Sequence, residues 1–290
     1  MQSFSNLSAL PSVLQQATAA LGYEQMTSIQ AAALPVMLER HDVIAQALTG
    51  SGKTAAFGLA LLALLDAESP RLQSLVLCPT RELAEQVCKE LRALARFIPN
   101  LKILSLCGGV PVGVQINSLV HEPQVVVGTP GRLIDLLDKN LLKLDALQSV
   151  VLDEADRMLD MGFLPDIRRI VKALPRPRQT LLFSATLSPD IEKITREFQE
   201  SPKVVQVGKR SNPAETVEQC VYEVPHPGKQ NLLLHLLRHK CQPRCLGLRC
   251  CLLLVPLRPR CLRLRCRHGQ PETRQPSRCL RLRCGGGRKG

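Results

Sequence analysis

Two short stretches of this chain carry the residue types of phosphoryl chemistry. Asp153-Glu154-Ala155-Asp156 places carboxylates directly after Val150-Val151-Leu152, an apolar run that reads as a buried strand. Carboxylates at a strand end suit Mg²⁺, which takes oxygen ligands and keeps several waters. Alone, the tetrad is equally consistent with a solvated acidic turn. The second stretch, Ala47-Leu48-Thr49-Gly50-Ser51-Gly52-Lys53-Thr54, lies upstream and narrows the meaning. It follows the phosphate-loop pattern, with Ala47 where the first glycine usually stands. Gly50 and Gly52 let backbone N–H groups turn toward an anion, and the helix that follows adds its dipole. Lys53 supplies a point charge for the β- and γ-phosphates, and Thr54 can ligate magnesium. The plain alternative is an ordinary glycine turn before a helix; strand, loop, helix and Gly-Lys-Thr together favour the phosphate loop. On this reading Asp153 holds magnesium through water, and Glu154 orients or activates the water for in-line attack on the γ-phosphate.

These residues need a scaffold that collects strand ends, and the chain supplies one. Residues 1–40 read as amphipathic helix broken at Leu21-Gly22-Tyr23. Strands follow at Asp42–Ala47, Ser74–Cys78, Lys102–Leu106, Gln124–Gly128, Ser149–Asp153, Gln179–Phe183 and Lys203–Val207. Helices are expected from Lys53 to Leu65, from Pro79 to about Arg96 with Thr80 as N-cap, from Thr129 to about Asp138, and from Asp190 to Gln199. Each strand is a near-continuous apolar run. Alternation of such strands with helices predicts an α/β fold with a parallel sheet covered on both faces. Ligands then bind at the carboxyl ends of the strands, where every polar motif falls.

Composition sets the outer bounds. The chain has 290 residues, is 45% hydrophobic, and contains no Trp, 2 Tyr and 6 Phe. So few aromatics argue against base-stacking platforms. The net charge of +13 suggests a polyanionic partner, but its distribution is lopsided. Residues 1–240 hold 25 Lys+Arg and 24 Asp+Glu, whereas residues 241–290 hold 13 and 1. Cysteines divide the same way, with 4 before position 241 (Cys78, Cys88, Cys107 and Cys220) and 8 after it. The early four are scattered in apolar contexts, as in a reducing cytoplasm. No basic segment followed by a long apolar core opens the chain, and no run is long enough to span a bilayer, so a cytoplasmic protein is expected.

Further motifs give the chain a resemblance. Gly22-Tyr23-Glu24-Gln25-Met26-Thr27-Ser28-Ile29-Gln30, Pro79-Thr80-Arg81-Glu82-Leu83-Ala84, Gly108-Gly109, Thr129-Pro130-Gly131-Arg132, the acidic tetrad with Arg157-Met158-Leu159-Asp160-Met161-Gly162-Phe163, and Ser184-Ala185-Thr186 occur in this order. In that series the chain resembles the first RecA-like domain of a DEAD-box ATP-dependent RNA helicase. The likeness covers about residues 1–240, and its flanking wording is most similar to bacterial DbpA-type members. The resemblance implies an adenine-reading Q motif over residues 2–30, with Phe4, Tyr23 and Gln30 on the nucleotide; Met26 stands where the family usually has proline. An amide can pair with an adenine edge as both donor and acceptor. It also implies that Pro79, Thr80, Arg81, Gly109, Thr129, Gly131 and Arg132 contact the RNA backbone, which confers affinity without sequence choice. Asp156, Ser184 and Thr186 would couple the nucleotide side to the RNA side. Without the resemblance, Gln30 reads as a helix-surface amide, Arg81 and Arg132 as surface arginines, and Ser184 and Thr186 as strand-end caps.

The expected organisation is a RecA-like nucleotide-binding domain over 1–208, a linker and the start of a second domain over 209–240, and an Arg/Cys/Leu-rich tail over 241–290. The second domain's arginine-bearing motifs do not occur. In the tail, Arg244–Cys250 recurs nearly unchanged at Arg260–Cys266 and Arg278–Cys284. It is open to three origins: a metal site, a basic RNA-binding tail, or a frameshifted second domain, the last being favoured together with the absence of a stable fold. The function expected is RNA-stimulated ATP hydrolysis with ATP and Mg²⁺, coupled to local duplex opening in ribosomal RNA remodelling by a monomer. This chain is expected to turn over ATP negligibly without the second domain's arginine fingers. The competing classes are a non-catalytic ATP- or RNA-binding module, and a phosphate-loop ATPase acting on DNA or protein. RNA-stimulated against DNA-stimulated turnover separates the latter from the helicase.

Overall fold

The computed structural model describes residues 3–207 continuously and, beyond them, residues 217–223, 228, 231–232, 234–235, 255–256 and 261–267. The chain divides into two units, residues 1–208 and 209–290.

In the first unit, seven parallel strands form one sheet: β1 (Val43–Gln46), β2 (Ser74–Leu77), β3 (Ile103–Leu106), β4 (Val125–Gly128), β5 (Ser149–Leu152), β6 (Gln179–Ser184) and β7 (Lys203–Gln206). Their spatial order is β3-β4-β2-β5-β6-β1-β7. The register aligns the strand ends, with Gln46 opposite Ser184, and Leu77 opposite both Leu152 and Gly128. The loops that follow these residues therefore emerge along one edge.

Strand side chains alternate between faces, and the core divides accordingly. Val43, Ala45, Val76, Val151, Leu181 and Phe183 pack with one set of helices: α1 (Ser12–Ala20), α2 (Ser28–Leu38), α3 (Lys53–Leu64) and α4 (Arg81–Leu94). Ile44, Leu75, Leu77, Val150, Leu152 and Leu182 pack with a second set. That set comprises α5 (Val112–Leu119), α6 (Pro130–Asp138), α7 (Ala155–Asp160), α8 (Leu164–Ala173) and α9 (Pro189–Phe198). On the first face, the rings of Phe57 in α3 and Phe183 in β6 stand 5.3 Å apart, tilted, in the favourable range for an aromatic pair.

The doubly covered parallel sheet is the architecture expected. Thr80 does cap α4, its hydroxyl accepting from the Leu83 N–H. Three helices, α5, α7 and α8, stand where no element is read from the sequence. In α8, Ile167, Ile170 and Val171 form a buried stripe at helical spacing. In α5 the fully buried residue is Gln115, and Val112, Ile116 and Leu119 form a short, partly buried stripe.

In the second unit, β8 (Val217–Glu223), β9 (Val255–Pro256) and β10 (Cys261–Arg267) pair antiparallel in the order β8-β10-β9. Leu264 lies opposite Cys220. Apart from these strands, the expectations for the linker and tail concern residues outside those described.

Candidate nucleotide and RNA site

The phosphate loop joins β1 to α3. Gly50 and Gly52 have φ of 83° and 88°, the left-handed region that glycine reaches without cost. Gly52 must also be small: a Cβ there would stand 2.6 Å from Gln30 Nε2. Gln30 is the reason for this closeness. It completes a capping box at the start of α2, its Oε1 accepting from the Thr27 N–H at 2.8 Å, while its Nε2 donates to the Gly52 carbonyl at 3.0 Å. The amide expected to read adenine thus also ties its own loop to the phosphate loop. It keeps one N–H and one acceptor site for a base edge. Phe4 is only 3% exposed and packs into the core, its ring centroid 6.5 Å from that of the half-buried Tyr23.

Lys53 opens α3 and points toward the end of β5. Its Nζ lies 2.8 Å from Asp153 Oδ1 and 3.5 Å from Glu154 Oε1, and the three side chains are nearly excluded from water. Asp153 is wholly buried. Burial pushes its carboxyl above the usual range, with Lys53 pulling the other way. Among the described residues Lys53 is the one side-chain donor at this carboxylate. The Ser51 hydroxyl in the loop is buried without a partner. A buried carboxylate held by a single ammonium beside a glycine-rich anion loop fits a hydrated cation and a polyphosphate. Thr54 and Asp153 are the residues that would hold magnesium.

Glu154 has φ 53° and ψ 52°, a left-handed conformation unusual for a residue with a side chain. Its carboxylate accepts from Thr49 Oγ1 at 3.2 Å and from Lys53 at 3.5 Å on one oxygen, and from Arg157 at 3.4 Å on the other. Strain of this kind, held by three donors, marks a side chain aimed at a task. Cys78, at the end of β2, is buried near Asp153; burial above all, and then that carboxylate, push its thiol well up.

Asp156 leads from this cluster to the neighbouring loop. Its Oδ2 accepts from both the backbone N–H and the hydroxyl of Thr186, each at 3.1 Å. Ser184 donates to the Thr186 carbonyl at 2.7 Å. The three residues expected to couple are therefore in one hydrogen-bonded chain, between β6 and α7.

The remaining motifs occupy the other half of the edge. Arg81 is exposed, pairs with Glu85 at 2.7 Å, and lies against the turn at Gly109, whose φ is 78°; a Cβ on Gly109 would come 3.2 Å from the guanidinium. Pro79 precedes this helix, and the Thr80 hydroxyl is spent on its cap. Thr129 makes no side-chain cap at α6, and Gly131 in its first turn has open space around it, so that helix end presents free N–H groups. Arg132 differs from Arg81. Its side chain is 10% exposed and turned inward, donating to Gln115 Oε1 at 2.5 Å and to the Val110 carbonyl at 3.0 Å. Gln115 and Arg157 were not marked as site residues from sequence. For Gln115 the available signal is a lone amide between Val114 and Ile116.

A phosphate loop and paired carboxylates at the carboxyl edge of a parallel sheet mark the phosphate-loop class of α/β domain. Residues 27–194 match the DEAD/DEAH box helicase family. The chain belongs to that family. It is 52% identical over 237 residues to the ATP-dependent RNA helicase DbpA of Escherichia coli (strain K12), covering 82% of this chain and 52% of that protein. It is 42% identical over 228 residues to the DEAD-box ATP-dependent RNA helicase CshA of Bacillus subtilis (strain 168), covering 79% and 46%. The crystal structure of a DEAD box protein from Methanococcus jannaschii superposes with a TM-score of 0.68 at 33% identity, over 83% of this chain and 64% of that one. The chain thus spans about half the length of the curated relatives it matches. Among the described residues no helix is long and apolar enough to cross a membrane.

Proposed function

We propose that this domain binds ATP and Mg²⁺ at the Lys53–Asp153–Glu154 cluster and single-stranded RNA on the neighbouring loops, and that it forms the nucleotide-binding half of an ATP-dependent RNA helicase. The observation that carries this reading is the continuity of one sheet edge. Lys53, Asp153 and Glu154 share charge, Asp156 ties the loop after β5 to Thr186 after β6, and β2, which leads into the Arg81 motif, is the other neighbour of β5.

Bound magnesium would supply charge neutralisation at the terminal phosphates. The chain's own residues do the rest. Lys53 exchanges its contacts with two carboxylates for phosphate oxygens, which frees Asp153 to face the hydrated cation. Glu154 accepts a proton from the attacking water, and Arg157 and Thr49 hold its carboxylate in place. Arg81, the turn at Gly109, and the N–H groups that open α6 behind Thr129 and Gly131 bind phosphate backbone without reading bases. RNA is favoured over DNA through 2′-hydroxyl contacts. We infer a cytoplasmic protein that acts on ribosomal RNA as a monomer. An arginine supplied from a second domain typically contributes ~10³–10⁵ in rate, so residues 1–208 alone are expected to bind ATP and turn it over negligibly.

The test is a titration of the 290-residue chain with a fluorescent ATP analogue and Mg²⁺, with and without uridine oligoribonucleotide or its deoxy counterpart. ATP should displace the analogue and GTP should not, and RNA should tighten binding more than DNA. Equal displacement by GTP would remove the adenine-reading role of Gln30. Equal effects of DNA and RNA would favour the DNA-acting ATPase, and binding of nucleotide with no effect of either polymer would leave a nucleotide-binding module.

A further inference from the structure

Arg132 belongs by motif with the RNA contacts, yet both terminal nitrogens of its guanidinium are engaged by the protein. One terminal nitrogen donates to Gln115 Oε1 at 2.5 Å, the other to the Val110 carbonyl at 3.0 Å, and Nε lies 3.9 Å from Asp135. Gln115 is itself 6% exposed, and its Nε2 donates to the Cys107 carbonyl at 3.0 Å. The two side chains thus grip both ends of the 107–111 turn from beneath: Cys107 through Gln115, and Val110 through Arg132. Gly109, at φ 78°, sits between these anchors, with the exposed Arg81 lying against it. α5 contributes only one buried residue to the fold, and that residue is this glutamine. A buried polar amide is costly unless both its groups are satisfied, and here both are.

We propose that Arg132 and Gln115 are positioning residues: they hold the Gly108-Gly109 turn in the shape that receives an RNA phosphate, and Arg132 makes no phosphate contact of its own. This rests on the RNA reading above and refines it. The RNA-facing groups are then Arg81, the turn backbone and the N–H groups at the start of α6. Arg132 works through the turn.

Salt dependence separates a strut from a contact. Each phosphate contact to a single strand adds about 0.7 to the slope of log affinity against log salt. The 290-residue chain would be titrated with a short uridine oligoribonucleotide at several salt concentrations. Arg132→Gln should weaken binding about tenfold with the slope unchanged, because a charge-assisted anchor is lost while the phosphate contacts remain in kind. Arg132→Lys should be as weak as Arg132→Gln, since an ammonium cannot span Gln115 and Val110 with a planar fork. Gln115→Ala should match both, and the double variant should be no worse than either single one. Arg81→Gln is the contrast: affinity and slope should both fall, the slope by about 0.7.

Hydrogen exchange supplies an RNA-free readout on the same proteins. Amides 108–112 should exchange faster in Gln115→Ala and Arg132→Lys while β2 and β4 stay protected, which also shows that the variants fold. A slope that falls by about 0.7 in Arg132→Gln, with affinity restored by Arg132→Lys, would show a direct contact and overturn the proposal. Unchanged exchange of the turn in the variants would overturn the strut and leave the RNA reading standing. If RNA does not protect these amides in the unaltered chain, the RNA reading falls and the proposal falls with it.

Discussion

The two halves of the sheet edge hold charge in opposite ways. On the nucleotide half, around β1, β6 and β5, Lys53 faces Asp153 and Glu154 inside the protein, and the three side chains are nearly dry. On the RNA half, around β2, β4 and β3, Arg81 is exposed and Arg132 is used internally, while the open groups are backbone N–H donors and a glycine turn. The first half is a charged site that neutralises itself; its ligand must offer Lys53 and Asp153 partners good enough to separate them. The second is a nearly preformed surface whose ligand meets shape and a few exposed charges. Binding on one side therefore rearranges ions, and on the other it settles onto fixed groups. Asp156 ties the loop after β5, the strand next to β2, to Thr186 inside the nucleotide half.

The largest effect should come from leaving the dry carboxylates without their cation. Lys53→Met is expected to abolish nucleotide binding and to lower stability by about 3 kcal/mol, the scale of an uncompensated buried charge. Denaturant unfolding with and without ATP–Mg²⁺ measures both. The pH dependence follows from Asp153. Its folded-state pKa is raised above 3.8 by burial, so the unfolded chain loses this proton first as pH climbs. Stability contributed by this group falls from about pH 3.8 upward until the raised folded value is passed. Lys53 limits that fall, so Lys53→Met should steepen it and should approach the unaltered chain in acid. A loss independent of pH would point to packing, and the two-halves contrast would weaken.

An intermediate effect is expected where the two loops of the nucleotide half touch. Gly52→Ala places a Cβ 2.6 Å from Gln30 Nε2 at a φ of 88°. Strain of this kind costs about 1–3 kcal/mol, and the Gln30–Gly52 bond should break. A thermal melt should drop, with adenine selectivity falling alongside phosphate affinity. Loss of phosphate affinity with unchanged ATP-over-GTP preference would separate the two loops.

The smallest change in stability belongs to the Asp156–Thr186 link. Asp156→Ala removes two hydrogen bonds at an exposed Thr186, for about 1 kcal/mol or less. Its consequence should appear in linkage: each ligand alone binds nearly as before, and the effect of RNA on nucleotide affinity falls toward none. Retained coupling in this variant would place the connection elsewhere along the edge.

Much of the site was legible because its chemistry is local. Gly50 and Gly52 need positive φ, Lys53 must follow them at a helix start, and Asp153 and Glu154 must end a strand; spacing along the chain expresses all three. The buried strands were equally plain, since a parallel sheet covered on both faces writes continuous apolar runs. The unread helix α5 shows the limit, for it is only 8 residues long, its fully buried residue is polar, and its apolar stripe of Val112, Ile116 and Leu119 is brief.

By itself, then, the sequence determined that this chain makes a parallel α/β sheet and carries a phosphate loop, an acidic tetrad and RNA-side loops in a family order. It could not order them in space. In the chain the tetrad after β5 is separated from the phosphate loop by β2, β3 and β4, yet in the sheet only β6 stands between β5 and β1. That arrangement alone brings Lys53 to Asp153 and sets Thr186, after β6, beside Asp156, after β5. Nor could it tell Arg81 from Arg132, two arginines of the same kind near helix starts. One is exposed and the other is turned inward, because Val110 in the turn after β3 and Gln115 of α5 bring oxygen acceptors to the start of α6. Local residue types decide which groups can do chemistry; long-range packing decides which of them still have a hydrogen bond to give.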